Sequence, residues 1–180
     1  TGVTAYVIDS GVSNHVELQG RLGTGRGFDV STSGTDCNGH GTHVAGTIAG
    51  KTTGVAPGAR IVSLRVLGCK GSGYASSVLK ALDWVLANGV RPAVVNLSLG
   101  IDGSLSWITD AVKRLTDAGF VVVVSAGNAQ KPACQQSPAS APDALTVAAS
   151  TYLDSRASYS NFGSCVDLFA PGSSIKGPAH

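Results

Sequence analysis

The stretch Asn38-Gly39-His40-Gly41-Thr42-His43 holds the groups in this sequence best placed to do chemistry. His40 sits between two glycines, and glycine lets the backbone approach another element closely. An imidazole so placed can act as a general base if a carboxylate orients its ring. His43, three residues on, would share a helix face with His40. That spacing invites a metal pair. Yet no Glu follows His40 as in a His-Glu-x-x-His motif, and no third ligand is evident. His43 reads better as a helical residue packed in the interior. The same stretch continues into Ala45-Gly46-Thr47-Ile48-Ala49-Gly50-Lys51-Thr52, a relaxed P-loop pattern. A P-loop needs its glycines between a strand and a following helix, so that backbone N–H groups hold the phosphates. Here the helical stretch comes first and a breaker-rich loop, residues 53–58, comes after. The nucleotide-binding reading therefore fails, and Lys51 becomes a cation at a helix end, where the helix dipole favours it.

These groups need elements to hold them. Residues 4–8 form a β-rich run that ends in Asp9-Ser10-Gly11, a turn signal. Residues 20–27 are glycine-rich and irregular. Residues 40–49 have few helix breakers and are expected to be helical. Strands are expected at 61–67, 93–99, 120–124, 145–149 and 166–169. Between them, residues 74–88 place Val78, Leu82, Val85 and Leu86 on one helical face, with Gly89 as the stop. Residues 104–118 do the same with Ile108, Ala111, Val112 and Leu115. Strands alternating with helices predict an α/β fold with a parallel sheet covered on both faces. No internal repeat and no linker are visible. In such sheets the active site lies outside the carboxyl ends of the strands. Asp9, Ser98 and Asn128 all fall at or just after such ends, although a lone polar residue there is usually a turn former.

Composition excludes several classes of function. The 180 residues are 43% hydrophobic and 13% charged, with a formal net charge of +2, which describes one compact globular domain. There is no basic run to support a nucleic-acid partner. The longest apolar runs, such as 120–124, are far too short to span a membrane. The chain contains no Met and no signal peptide, so it is expected to be processed or excised from something longer. Cys37, Cys69, Cys134 and Cys165 form no Cys-x-x-Cys pair, which argues against a zinc site. Their even number, with many Ser, Thr and Gly residues, suggests an oxidising, extracellular setting. Four buried thiols in a cytosolic enzyme are the alternative.

Four motifs carry a resemblance. Val7-Ile8-Asp9-Ser10-Gly11-Val12, Gly39-His40-Gly41-Thr42-His43-Val44-Ala45-Gly46, Asn96-Leu97-Ser98-Leu99-Gly100 and Ser125-Ala126-Gly127-Asn128 resemble those of the subtilisin-like serine proteases, in order and spacing. The cysteine positions look most like the proteinase K branch, and specifically the aqualysin-type secreted bacterial enzymes. The resemblance implies a three-layer α/β fold with a mostly parallel central sheet, truncated at both ends. It also implies a secreted serine endopeptidase acting on a peptide or protein substrate, with no nucleic-acid or membrane partner. Asp9 would hold the His40 tautomer, His40 would be general base and then acid, and Asn128 would donate to the oxyanion. Gly71, Ser72 and Gly73, with Ser98, Leu99 and Gly100, would flank an extended substrate as edge strands. Ala126 and Gly127 would wall the pocket before the scissile bond. The disulfides would be Cys37–Cys69 and Cys134–Cys165. A calcium ion would rest on the carbonyls of Pro142 and Ala144 and the carboxylate of Asp167, oxygens as calcium requires. The bland alternative is that Asp167 only bonds a nearby turn.

The nucleophile is the point of departure. The family's serine lies in a Gly-Thr-Ser-Met-Ala segment, and these 180 residues contain none. The tail Lys176-Gly177-Pro178-Ala179-His180 is not what normally follows the Ala170-Pro171-Gly172-Ser173-Ser174-Ile175 approach. Ser10 adjoins Asp9, but neighbouring strand residues point to opposite faces. The chain alone is therefore expected to be inactive. A C-terminal segment or a propeptide would be its further partner, and a catalytically inactive peptide-binding or structural protein is the alternative reading.

Overall fold

A computed structural model describes residues 2–29 and 33–178. The chain divides into two compact units, Thr1–Asn96 with Lys176–His180, and Leu97–Ile175. The division falls inside a strand, so composition marks no linker there.

The first unit contains β1 (Thr4–Asp9), β2 (Arg26–Gly27), α1 (His40–Ala49), β3 (Arg60–Arg65), α2 (Ala75–Asn88) and β4 (Ala93–Leu97). Its strands run in the order β2-β3-β1-β4, all parallel. Thr4–Asp9 pairs with Arg60–Arg65 on one side, and Thr4–Val7 with Ala93–Asn96 on the other. A strand hydrogen-bonded on both edges and covered on both faces should be continuously apolar. β1 obeys this from Ala5 to Ile8, all buried, and then breaks the rule at Asp9, which is wholly buried. A buried carboxylate demands partners.

α1 has the bounds that the sequence predicts. Its buried positions are Gly41, Thr42, Ala45, Gly46 and Ala49, all small, which lets the helix lie close to the sheet. His43 is half-buried, less enclosed than the sequence reading expected, because the helix buries its small-residue face instead. Gly177 lies against the His43 ring and buried Pro178 against Gly46, whereas Ala179 and His180 fall outside the described residues. The P-loop pattern dissolves as anticipated. Gly50, Lys51 and Thr52 follow the end of α1, and Thr52 donates its N–H and hydroxyl to the Glu17 carboxylate. α2 buries Val78, Ala81, Leu82 and Val85.

The second unit contains β5 (Ile101–Asp102), α3 (Ser106–Asp117), β6 (Val121–Ser125), β7 (Gln136–Ser137), β8 (Leu145–Ser150) and β9 (Leu168–Pro171). β6, β8 and β9 are parallel, while β5 and β7 form a separate antiparallel pair. That pair has two residues per strand, too few for a periodic signal. α3 buries the stripe Ile108, Ala111, Val112 and Leu115. It closes with Gly119 at φ +85°, where the Gly119 N–H bonds Thr116 O and the Phe120 N–H bonds Leu115 O. This is the double bond of a Schellman stop, which needs a left-handed residue. β9 begins two residues later than the sequence suggests, because Val166 is held in a turn by its N–H bond to Gly163 O. Among the described residues no helix is long and apolar enough to cross a membrane.

Candidate functional site

The polar centre of the first unit is built on the junction of β1 and α1. The Nδ1 of His40 lies 2.7 Å from Asp9 Oδ1 and 2.9 Å from Oδ2. The Asp9 side chain is fully buried and that of His40 half exposed. A carboxylate only accepts, so Nδ1 carries the proton and Nε2 presents a lone pair. The hydrogen bond to Asp9 raises the His40 pKa above its ordinary value. Burial opposes the rise, and the charges of Asp9 and Asp36 add to it. The result is a half-exposed imidazole with an oriented ring and a strengthened base.

Two features fix this pair. Gly41 is one: a β-carbon there would strike the carbonyl of Gly11 and crowd the Asp9 side chain. Only a residue without one lets the first turn of α1 lie against the end of β1. Asp36 is the other, and the sequence reading missed it. This buried carboxylate accepts Asn38 N–H at 2.8 Å, Gly39 N–H at 3.0 Å and Ser10 Oγ–H at 2.9 Å on Oδ1. On Oδ2 it accepts Thr42 N–H at 3.1 Å and the Thr42 hydroxyl at 2.6 Å. Burial alone would raise the Asp36 pKa, but the bonds from Thr42, Gly39 and Asn38 outweigh it and hold the carboxyl below its usual value. Asp36 thereby organises the turn before His40 and the start of α1. The signal in the sequence was an Asp four residues ahead of His40, at the entry to a helix, where a carboxylate can take up N–H groups. Ser10, the serine beside Asp9, spends its hydroxyl on Asp36 and accepts the Gly41 N–H at 3.0 Å. It is a structural serine.

Cys37 and Cys69 are bridged, with Cα atoms 4.8 Å apart. The bridge and the bond from Asn38 Nδ2 to Cys69 O at 3.1 Å tie the approach to His40 to the turn carrying Gly71, Ser72 and Gly73. These three residues are exposed, and they form a turn and not the edge strand that the resemblance implies. Gly71 N–H bonds Gly68 O, and Ser72 O accepts the Gly68 N–H.

The second unit gathers the remaining candidates. Leu99 is buried and its carbonyl accepts the Ser125 hydroxyl at 3.1 Å, while Gly100 is exposed and Ser98 half-buried. Ser98, Leu99 and Gly100 lie outside any strand, between β4 and β5. Gly100 and Gly127 both neighbour the Gln136 side chain, so the 98–100 and 126–127 segments converge there. Ala126 is fully buried and Asn128 is exposed, just beyond β6. Cys134 and Cys165 form the second bridge, with Cα atoms 5.3 Å apart. Both pairings agree with the resemblance. Asp167 Oδ2 accepts the Thr146 N–H at 2.7 Å, and Asp167 N–H bonds Thr146 O, which brings its carboxylate to the start of β8, two residues beyond Ala144. Among the described residues no three His, Cys, Asp or Glu side chains cluster for a metal. A cation at this place would rest largely on carbonyl oxygens such as those of Pro142 and Ala144, a donor set that suits a hard ion.

Residues 1–179 match the model of the subtilase family, peptidase S8. The chain is 53% identical over 178 residues to an extracellular serine proteinase of Thermus sp. (strain Rt41A), covering 97% of this chain and 43% of that one. It is 51% identical over 178 residues to alkaline serine exoprotease A of Vibrio alginolyticus, covering 98% and 33%. The chain thus spans less than half the length of these two relatives. A solved structure of a cold-adapted subtilisin-like serine proteinase superposes with a TM-score of 0.95 at 50% identity, covering 99% of this chain and 66% of that one.

Proposed function

The chain belongs to the subtilase family, and from that premise we propose that it is the base-bearing part of a secreted serine endopeptidase. The observation that carries this reading is the bond between His40 Nδ1 and the buried Asp9 carboxylate. In the proposed reaction a serine hydroxyl, supplied by a Gly-Thr-Ser-Met-Ala segment outside these 180 residues, attacks the scissile carbonyl. His40 Nε2 takes the hydroxyl proton as the C–O bond forms. Asp9 keeps the Nδ1 proton in place and stabilises the imidazolium. The Asn128 amide donates to the developing oxyanion. His40 then returns its proton to the leaving amine as the C–N bond breaks. Water repeats the sequence to release the acyl group. Gly71, Ser72, Gly73, Ser98, Leu99 and Gly100 would receive an extended peptide, and Ala126 and Gly127 would wall its pocket.

An extracellular location is supported by two disulfides, which persist in oxidising compartments, and by the name of the Thermus relative. A structural calcium ion on Pro142 O, Ala144 O and the Asp167 carboxylate belongs to the same proposal. The Thr146 N–H bond to Asp167 is also what the alternative without calcium expects, so the support is the all-oxygen donor set that these three residues would offer a hard ion.

The test is cleavage of a chromogenic peptide by the protein carrying the Gly-Thr-Ser-Met-Ala segment. His40→Ala should abolish turnover. Asn128→Ala should lower kcat by roughly 10²–10³-fold, the loss known for removing such a donor from a subtilisin. Undiminished turnover by His40→Ala would refute the mechanism.

A further inference from the structure

Asn161 is fully buried and uses every hydrogen-bonding position of its side chain on one loop and its neighbour. Its Nδ2 donates to Ala126 O and to Gln136 Oε1, each at 2.8 Å. Its Oδ1 accepts the Ala129 N–H at 2.9 Å and the Lys131 N–H at 3.1 Å. Its own N–H bonds Gly127 O at 2.9 Å. An amide has two donor hydrogens and two acceptor lone pairs, so nothing is left over. Only one orientation of the amide fits, because Ala126 O needs a donor and the two N–H groups need an acceptor. The bonds fall on residues 126, 127, 129 and 131, on both sides of Asn128. A β-carbon on Gly127 would collide with Asn161 and Gln136, so loop and amide are in close contact.

We infer that Asn161 is a positioning residue that sets the Asn128 side chain for oxyanion stabilisation. The inference rests on Asn128 being the oxyanion donor, as proposed above. Asn128 itself is exposed and sits on a loop, where a side chain has little to hold it. A preorganised donor must be fixed before charge develops, and a displacement of about 1 Å is costly. The Asn161 amide supplies that fixation from beneath, without touching substrate.

The test is a double-mutant cycle between residues 161 and 128 in the protein bearing the Gly-Thr-Ser-Met-Ala segment. Asn161→Ala removes all four side-chain bonds. Asn161→Asp keeps the shape and the two accepted bonds but sets an acceptor against Ala126 O. It decides the matter should the alanine variant not fold. Either change should lower kcat about 10–100-fold with KM within about threefold, and leave the pH inflection set by His40 where it was. In an Asn128→Ala background the same change should cost less than about threefold, because the group being positioned is gone. If Asn128→Ala alone leaves kcat unchanged, the reading of Asn128 fails and the inference with it. If Asn128→Ala is damaging but Asn161 variants are harmless, or equally damaging in both backgrounds, the inference alone is overturned.

Discussion

In the proposed reaction His40 would carry the chemistry, and Asp9 would decide what that imidazole can do. The bond from Asp9 raises the His40 pKa, burial opposes it, and the Asp9 and Asp36 charges reinforce it. The base works only when Nε2 is unprotonated. Activity should therefore fall as pH drops through an inflection above the ordinary histidine value of 6.5. Stability runs the other way. A raised folded pKa contributes stability that is full below the unfolded value and lost as pH rises through the folded one. The pH range that frees the base thus gives up part of the Asp9–His40 attraction. Asp9→Asn should move the inflection of kcat/KM downward and lower the rate by on the order of 10³–10⁴-fold. A pH–rate profile of both forms measures this, and an inflection that stayed in place would show that Asp9 does not control the base. Asp36 has the opposite sign. Its carboxyl is held below the usual range, so its contribution is present above the unfolded value and fades as pH falls through the folded one.

At the scale of elements, α1 was legible to the residue because its small, breaker-poor run is bounded by Gly39 and Gly50, and the structure gives His40–Ala49. The stripe of α3 and most of that of α2 were legible from periodic burial, although Leu86, read as part of the α2 face, is only half-buried. Asp36 and Asn161 were not, because their roles lie in hydrogen bonds to residues made neighbours only by the fold. The two-residue strands β5 and β7 were below the reach of any period. The substrate-flanking segments at 71–73 and 98–100 read as edge strands by resemblance, but they fold as turn and loop. At the start of β8 the bonds between Asp167 and Thr146 leave a carboxylate beside the Ala144 region. Calcium held there should link β8 to the segment entering β9. Chelation should then lower the melting temperature of the protein by several degrees, by mass action on the folded state. Asp167→Ala should abolish that response. A melting temperature indifferent to chelator would remove calcium from the account.

For the whole molecule, the two bridges each close a loop of about 30 residues, one in each unit, and each contributes roughly 3–4 kcal/mol in the chain-entropy model. Holding both units by covalent links suits a protein that works outside the cell. The fold class and the Asp9–His40 pair were readable because four motifs recur in order along the chain. The nucleophile could not be read, because no Gly-Thr-Ser-Met-Ala segment occurs in these residues and Ser10 is committed to Asp36. The central claim is that the Asp9–His40 pair activates a serine supplied by that segment. A serine-reactive phosphonate probe tests it most directly, with the labelled residue mapped by mass spectrometry. The account predicts rapid labelling of the Gly-Thr-Ser-Met-Ala serine when that segment is present. It predicts no labelling of residues 1–180 alone, and a loss of at least about 100-fold in labelling rate for His40→Ala. Labelling of any serine within the 180 residues, or labelling that persists in His40→Ala, would contradict it.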